Sequence, residues 1–132
     1  MLDFATLRRP WKPNNYLLAP ANLTPARADG PAPEFAVPAD RLIDAFRKVA
    51  LAQPRTVETG FDRQLNQAEF VQRSRIFRFP DTLTARAMPL APGRCCLAVY
   101  SRARYGIRDF GVNRVRVEYW LELLRAALDK PG

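Results

Sequence analysis

Five arginines fall within one short segment of the sequence and make it the strongest candidate for chemistry in the chain. Residues 101–116 read SRARYGIRDFGVNRVR, with two glycines and one acid among the arginines. A guanidinium forms bidentate hydrogen bonds with carboxylates and phosphates. Where such a segment leads into a helix, the free N–H groups of the first turn add to an anion site. One hypothesis is therefore an anion-binding site made by Arg102, Arg104, Arg108, Arg114 and Arg116.

The same segment also has a structural interpretation that needs no ligand. A loop from a strand into a helix requires residues that allow positive φ, and Gly106 and Gly111 supply them. Asn113 is a candidate helix cap, and Asp109 is close enough in sequence to Arg104 to brace the loop as an ion pair. We favour this interpretation. Its residues are Ser101, Gly106, Asp109, Gly111 and Asn113, with Asp81 as a second acid expected to pair with an arginine.

A second basic cluster alternates with aromatic residues. Arg73, Arg75 and Arg78 lie beside Phe77 and Phe79. Proteins that bind single-stranded nucleic acids combine cations with aromatic stacking in this way. The spacing nevertheless matches no RNA-recognition strand, helix-turn-helix or zinc finger. We expect a half-buried edge strand with a charged outer face, and nucleic-acid binding is an alternative.

The residue types used in the commonest catalytic sites are missing or isolated. The chain has 0 His, which removes the commonest general base and metal ligand. Ser74 and Ser101 therefore have no imidazole to activate them. Cys95 and Cys96 are adjacent, and neighbours on a strand point to opposite faces, so we expect neither a disulfide between them nor a metal site. We predict no catalytic residues, no metal and no cofactor, and favour a protein that is not an enzyme.

The charge balance points to an anionic partner. Lys and Arg number 21 against 13 Asp and Glu, for a net charge of +8, and nearly all of the cations are arginine. Such a surface suits nucleic acid, lipid headgroups or an acidic protein. The alternative is a preference for arginine that serves solubility alone. No stretch approaches the ~18 apolar residues of a membrane span, so we expect the chain as given to be soluble.

The elements that must position these residues are predicted from apolar periodicity and proline. Residues 1–38 hold seven of the twelve prolines, which exclude a long helix or a central strand there. Their aromatic residues suggest an extended arm that wraps the domain or docks on a partner. We expect residues 39–132 to form the α+β domain of a single-domain chain. Apolar spacing predicts helices at 39–52 and 114–128, and strands at 55–61, 67–77, 82–90 and 94–102.

Short connections between the four strands imply antiparallel pairing. The strand at 94–102 is expected to be central, because both of its faces are apolar. The prediction is therefore an α+β fold with a four-stranded antiparallel sheet flanked by two helices, and a proline-rich extended N-terminal arm.

The segment from Tyr100 to Glu118 resembles the signature of the family known as domain of unknown function 1499. The matching positions are Ser101, Arg104, Gly106, Asp109, Gly111, Asn113, Arg114 and Arg116. Ala103 stands where the family often has serine. Residues 77–81 and Pro13-Asn14 resemble further family elements, so the resemblance covers most of the chain. It implies no known activity. Many similar proteins resemble bacterial envelope or plastid proteins. The resemblance therefore favours an envelope location on the periplasmic side over a cytoplasmic location, with an anchor in any longer native form.

Three functions are compatible with these features. We favour a non-enzymatic binding or accessory module that docks on a protein assembly or a membrane surface. The basic surface, the apolar N-terminal residues and the lack of catalytic groups support it. The second is a binder of a small anionic ligand, or an enzyme acting on one, at the arginine-rich loop. The third is nucleic-acid binding through the second basic cluster.

Overall fold

The computed structural model of the chain describes residues 1–106 and 109–130, which form two helices and one sheet. The elements in chain order are a 3-10 turn (Phe4–Thr6), β1 (Asn15–Leu18), β2 (Glu34–Phe35), α1 (Ala39–Leu51), β3 (Thr56–Asp62), β4 (Gln67–Arg73), β5 (Pro80–Ala91), β6 (Arg94–Ala103) and α2 (Val112–Asp129). The predicted α+β class and the two helices are confirmed. The predicted four-stranded sheet is an undercount, because the sheet has six strands.

The two additional strands come from the proline-rich part of the chain. The strand order is β1-β6-β5-β4-β3, and β2 also pairs with β6. Leu17 lies opposite Tyr100, and Phe35 lies opposite Cys95, so β1 and β2 take the two halves of the same edge of β6. Proline is tolerated beside such short edge strands because no second neighbour needs its N–H. Residues 1–38 therefore do not show the single extended arm that we predicted.

Both helices cover one face of the sheet. The buried stripe of α1 contains Phe46 and the buried stripe of α2 contains Trp120. Their rings meet Phe70 of β4, with centroid separations of 6.0 to 6.4 Å among the three. Truncating a core aromatic of this kind to alanine costs about 3–5 kcal/mol. The three rings thus form the centre of the helix-side core.

The opposite face of the sheet is covered by the N-terminal residues. Phe4, Leu7 and Leu17 form a second buried cluster with Ala98 and Tyr100 of β6. Because side chains alternate along a strand, the intervening residues of β6 face the helices instead. The prediction that this strand is central and buried on both faces is confirmed.

Two loops differ from the predicted boundaries, and both lie at the same end of the sheet. The strand predicted at 67–77 ends at Arg73, and residues 74–79 form the connection to β5. Helix α2 begins at Val112, two residues before the predicted start. The end of β6 at Ala103 lies opposite Asp81 at the start of β5. The β4–β5 loop and the β6–α2 connection are therefore neighbours.

Candidate functional site

A buried polar network joins the first turn of α2 to the ends of the strands. Its centre is Asn113, whose side chain is fully buried. Ser101 Oγ donates to Asn113 Oδ1 at 2.6 Å. Asn113 Nδ2 donates to the carbonyl oxygen of Asn14 at 2.9 Å. This single side chain therefore ties the helix to β6 and to the residues that precede β1.

Arg116 extends the network to β4 and β5. Its Nη1 donates to Ser101 Oγ at 3.1 Å and to Asn113 Oδ1 at 2.8 Å. Its Nε donates to Gln72 Oε1 at 2.6 Å, and its Nη2 contacts Asp81 Oδ2 at 2.8 Å. Burial raises the pKa of the Asp81 carboxyl, and the guanidinium opposes that shift only in part. The ion pair expected for Asp81 is present, but with a distant arginine, not a neighbour in sequence.

Asp109 caps helix α2 with its carboxylate. Oδ1 accepts a hydrogen bond from the N–H of Gly111 at 2.9 Å, and Oδ2 accepts from the N–H and Nδ2 of Asn113 at 3.2 and 2.7 Å. A carboxylate at this position is stabilised by the positive end of the helix dipole. The structure therefore fills the helix N-terminus with an internal anion. This corrects the prediction that Asn113 itself is the cap, because Asn113 lies inside the helix.

The predicted brace between Asp109 and Arg104 is wrong. Within the ranges that the structure describes, no ion pair joins the two side chains. The expected role of the glycines is present, since Gly106 has φ 88° and Gly111 has φ 82°. Among the described residues, and apart from the chain neighbours, no atom lies within 4 Å of a Cβ placed on either glycine, so it is backbone conformation and not space that requires them. The loop is organised by backbone conformation and a cap, not by a salt bridge.

The arginines of the proposed anion site do not come together. Arg102 lies on the sheet face away from the helices, with its Nη2 3.7 Å from Glu69 Oε2. Arg104 is exposed, with its guanidinium 5.9 Å from the centre of the Tyr105 ring. Arg114 is exposed and pairs with Glu118 at 2.9 Å. Arg116 is committed to the network, and Arg108 lies outside the described residues.

An open basin of about 550 Å³ lies beside the start of α2, and its charges are largely balanced. Arg114 and Lys12 line it together with Asp109 and Asp29. Arg9, also in its wall, pairs with Asp29 at 2.8 Å. An incoming anion would have to compete with both carboxylates. The basin therefore gives little support to an anion site at this helix N-terminus.

A different feature stands out at the same end of the sheet, where large apolar side chains project into solvent. Phe77 and Phe79 stack with centroids 5.6 Å apart, and Tyr105 lies 6.1 Å from Phe79. The exposed fractions range from 53% for Phe79 to 88% for Phe110. We call this group the aromatic end, and its members are Trp11, Ile76, Phe77, Phe79, Tyr105 and Phe110.

The loop at 74–79 is held in place by polar contacts and not by burial of its rings. The N–H of Ser74 donates to the Phe79 carbonyl at 3.0 Å, and the N–H of Phe79 donates back to Ser74 Oγ at 3.0 Å. Arg73 Nη1 donates to the Arg78 carbonyl at 2.9 Å. Each exposed ring forgoes about 1.5–3 kcal/mol of burial free energy. Exposed apolar clusters of this kind are candidates for an interaction surface.

The aromatic end is also cationic. Arg75, Arg78 and Arg104 are exposed on the same loops. In the part of the chain that the structure describes, none of the three forms an ion pair. The nearby carboxylates of Asp81 and Asp109 are directed into the network and the helix cap. Positive charge therefore surrounds the exposed rings.

An apolar groove of about 540 Å³ continues this surface along α2. Val112, Val115 and Tyr119 form its helical wall, and Pro54 and Phe110 lie on its other sides. The three helical residues are each about half exposed or more. The apolar surface therefore extends beyond the six side chains of the aromatic end and continues onto α2.

Two potential nucleophiles, Ser101 and Cys95, lie in the interior of the fold. The Ser101 hydroxyl donates to Asn113 Oδ1 and accepts from Arg116 Nη1. Burial raises the pKa of the Cys95 thiol to about 11, so the thiolate is scarce at neutral pH. Among residues 1–106 and 109–130, no three His, Cys, Asp or Glu side chains are grouped to hold a metal ion. No helix in those ranges has the length and apolarity to cross a membrane.

Sequence analysis selected residues of the polar network and only part of the surface above it, namely Phe77 and Phe79 of the second basic cluster. Ser101, Asp109 and Asn113 were selected by their motif, and their interior contacts agree with a structural role. Gln72, which accepts from Arg116, had no signal that set it apart. Trp11 was selected only as one of the aromatic residues of the N-terminal arm, and Phe110 was not selected, because nothing in its spacing distinguishes an exposed ring from a buried one.

The fold and the network define an α+β domain in which two helices cover a six-stranded sheet and a motif-encoded network anchors the second helix. The model of the family described as "Protein of unknown function (DUF1499)" matches residues 9–124. The chain belongs to this family, as the resemblance implied.

Other comparisons add a distant structural neighbour. No curated protein matches the chain. One solved structure is the di-domain ARO/CYC protein BexL from the BE-7585A biosynthetic pathway, with 13% identity and a TM-score of 0.46. The match covers 73% of this chain and 42% of that chain, so this chain spans less than half of that protein.

Proposed function

We propose that this domain is a non-enzymatic binding module that docks on a larger surface, a protein assembly or a membrane, through the aromatic end. One observation carries the proposal. Six large apolar side chains are at least half exposed at one end of the sheet, although the residues beneath them are tightly packed and hydrogen-bonded. Exposed apolar clusters with a polar rim are typical of interaction sites.

The polar network supports this interpretation because it serves as a foundation. Ser101, Asn113 and Arg116 direct their polar groups towards one another. Together with Asp81 and Gln72 they fix the ends of β4, β5 and β6 against α2. Binding residues placed on such a rigid base lose little conformational entropy when they meet a partner. The motif then supplies rigidity, and the loops above it supply contact.

The alternative of a small anionic ligand at the arginine-rich loop has weaker support. Asp109 fills the helix N-terminus, Arg114 pairs with Glu118, and Arg116 pairs with Asp81. Each of these positions would need an internal carboxylate to be displaced. The envelope location suggested by the family resemblance goes with the docking proposal.

Density-gradient sedimentation of extracts from the source cells tests the docking function. A tagged form of the full native protein is compared with a Phe77→Ser, Phe79→Ser variant and with a Leu90→Ser control. Leu90 is 51% exposed and lies by the β5–β6 turn, at the other end of the sheet. We expect wild type and control to sediment with larger particles, and the double variant to move to the position of the free protein. A wild-type protein that sediments alone, or a double variant that sediments like wild type, would show that the aromatic end is not a docking surface.

A further inference from the structure

We infer that the surface bound by the aromatic end is an anionic lipid bilayer. The inference rests on the proposed docking function and names its partner. The residue types are the first support. Trp and Tyr concentrate where membranes meet water, because their rings are apolar and their polar groups stay hydrated. Trp11 and Tyr105 are 82% and 58% exposed, and the fully apolar Ile76 and Phe77 are 79% and 73% exposed.

The arrangement of these residues is the second support. They come from three separate segments, which precede β1, join β4 to β5, and join β6 to α2. Phe79 and Tyr105 link two of the segments through a ring contact of 6.1 Å. Trp11 and Gly111 both line the basin beside the start of α2, and Gly111 follows Phe110 in the sequence. Separate projecting tips enter a fluid bilayer readily, whereas a protein partner would need a matched pocket for each.

Charge is the third support. Arg75 and Arg78 lie on the same loop as the stacked rings of Phe77 and Phe79, and Arg104 adjoins Tyr105 in sequence. A long arginine side chain can place its guanidinium among lipid phosphates while a neighbouring ring enters the apolar layer. Each cation near an anionic leaflet strengthens binding by about fivefold. The net charge of +8 favours the same encounter.

Single-stranded nucleic acid is the competing anionic partner, and the geometry favours it less. Phe77 and Phe79 stack on each other at an interplanar angle of 17°, so each ring already has one face covered. Ile76 is 79% exposed and has no π-face to stack on a base. An aliphatic side chain held in water beside the rings is explained by insertion among acyl chains.

Vesicle flotation tests the inference directly. The full chain is mixed with vesicles of phosphatidylcholine alone, or of phosphatidylcholine with phosphatidylglycerol. We expect the protein to float with the anionic vesicles. Binding should be lost at high salt, because salt screens the charges. Phe77→Ser with Phe79→Ser should weaken binding by at least about tenfold, and Arg75→Gln with Arg104→Gln by about 25-fold.

Matched controls separate a specific effect from general loss of charge or apolarity. Leu90→Ser and Arg41→Gln change exposed residues near the opposite end of the sheet, and each should leave vesicle binding within about twofold of wild type. All variants should keep the wild-type midpoint in denaturant, because the changed side chains are exposed.

Three outcomes would overturn the inference. They are failure to bind anionic vesicles, equal binding by the aromatic-end variants and wild type, and binding of a single-stranded RNA oligonucleotide without binding of vesicles. The gradient experiment separates this failure from failure of the proposed function. If vesicles are not bound but the Phe77→Ser, Phe79→Ser variant is still released from the cellular particle, docking stands and its surface is not lipid. If neither effect is seen, both proposals fail.

Discussion

Replacing Asn113 by alanine should destabilise the domain more than any exposed substitution on the same helix turn. The side chain makes four hydrogen bonds, with Ser101, Asn14, Asp109 and Arg116. At about 1 kcal/mol for each neutral bond and about 1.5 kcal/mol for each bond to a charged group, their sum is about 5 kcal/mol.

That sum is an upper limit, because the partners keep other hydrogen bonds. The Ser101 hydroxyl still accepts from Arg116. The carboxylate of Asp109 still accepts from two backbone N–H groups. The carbonyl of Asn14 still accepts from Ala103. We therefore expect Asn113→Ala to lower the free energy of unfolding by about 2–4 kcal/mol.

Urea unfolding followed by far-UV circular dichroism measures this loss. Arg114→Ala is the matched control, since the residue is adjacent in sequence but exposed, and its ion pair with Glu118 is on the surface. It should leave the midpoint unchanged. A loss below about 1 kcal/mol for Asn113→Ala, or an equal shift in the control, would refute the idea that the network anchors α2.

Three further predictions follow from individual groups. Asp109→Ala should cost about 1–2 kcal/mol in urea unfolding, the usual loss of a helix cap, whereas a loss below about half a kcal/mol would argue against capping. Burial raises the pKa of Asp81 above its usual 3.8, so the folded state binds the proton more tightly than the unfolded state does. This group therefore stabilises the fold below pH 3.8, and the contribution is lost as pH rises through the folded pKa. Wild type should therefore gain stability relative to Asp81→Asn as pH falls through this window, and a constant difference between the two would contradict the shift. Cys95 and Cys96 are buried, so iodoacetamide at pH 8 should label neither until the chain is unfolded, and rapid labelling of the folded protein would show that this core opens.

Periodicity predicted the buried elements because burial on one face leaves a clear pattern. Phe46 and Trp120 fall on apolar stripes and both lie in the core. The strand that contains Leu97 was predicted as central from its two apolar faces, and it is. The strands β1 and β2 were not predicted, because strands of four and two residues carry too little alternation to be recognised among prolines.

The candidate site was predicted only where local sequence determines it. Gly111 and Asp109 act within a few residues of each other, and a turn into a helix could be inferred there. The partner of Asp81 could not, because Arg116 is 35 positions away and meets it only through the packing of α2 on the sheet. The aromatic end was predicted only in part. Phe77 and Phe79 were selected with the second basic cluster but were placed on a half-buried strand, since an exposed Phe77 and a buried Phe70 look alike in a strand pattern.

Tryptophan fluorescence tests the docking account most directly, since the two tryptophans differ in exposure. Trp11 is 82% exposed at the aromatic end, and Trp120 is 2% exposed in the core. Vesicles containing phosphatidylglycerol with brominated acyl chains should quench Trp11 emission, and a Trp11→Phe variant should show no such quenching. Quenching that persists in Trp11→Phe, or bound protein whose emission is unchanged, would contradict entry of this end into a membrane.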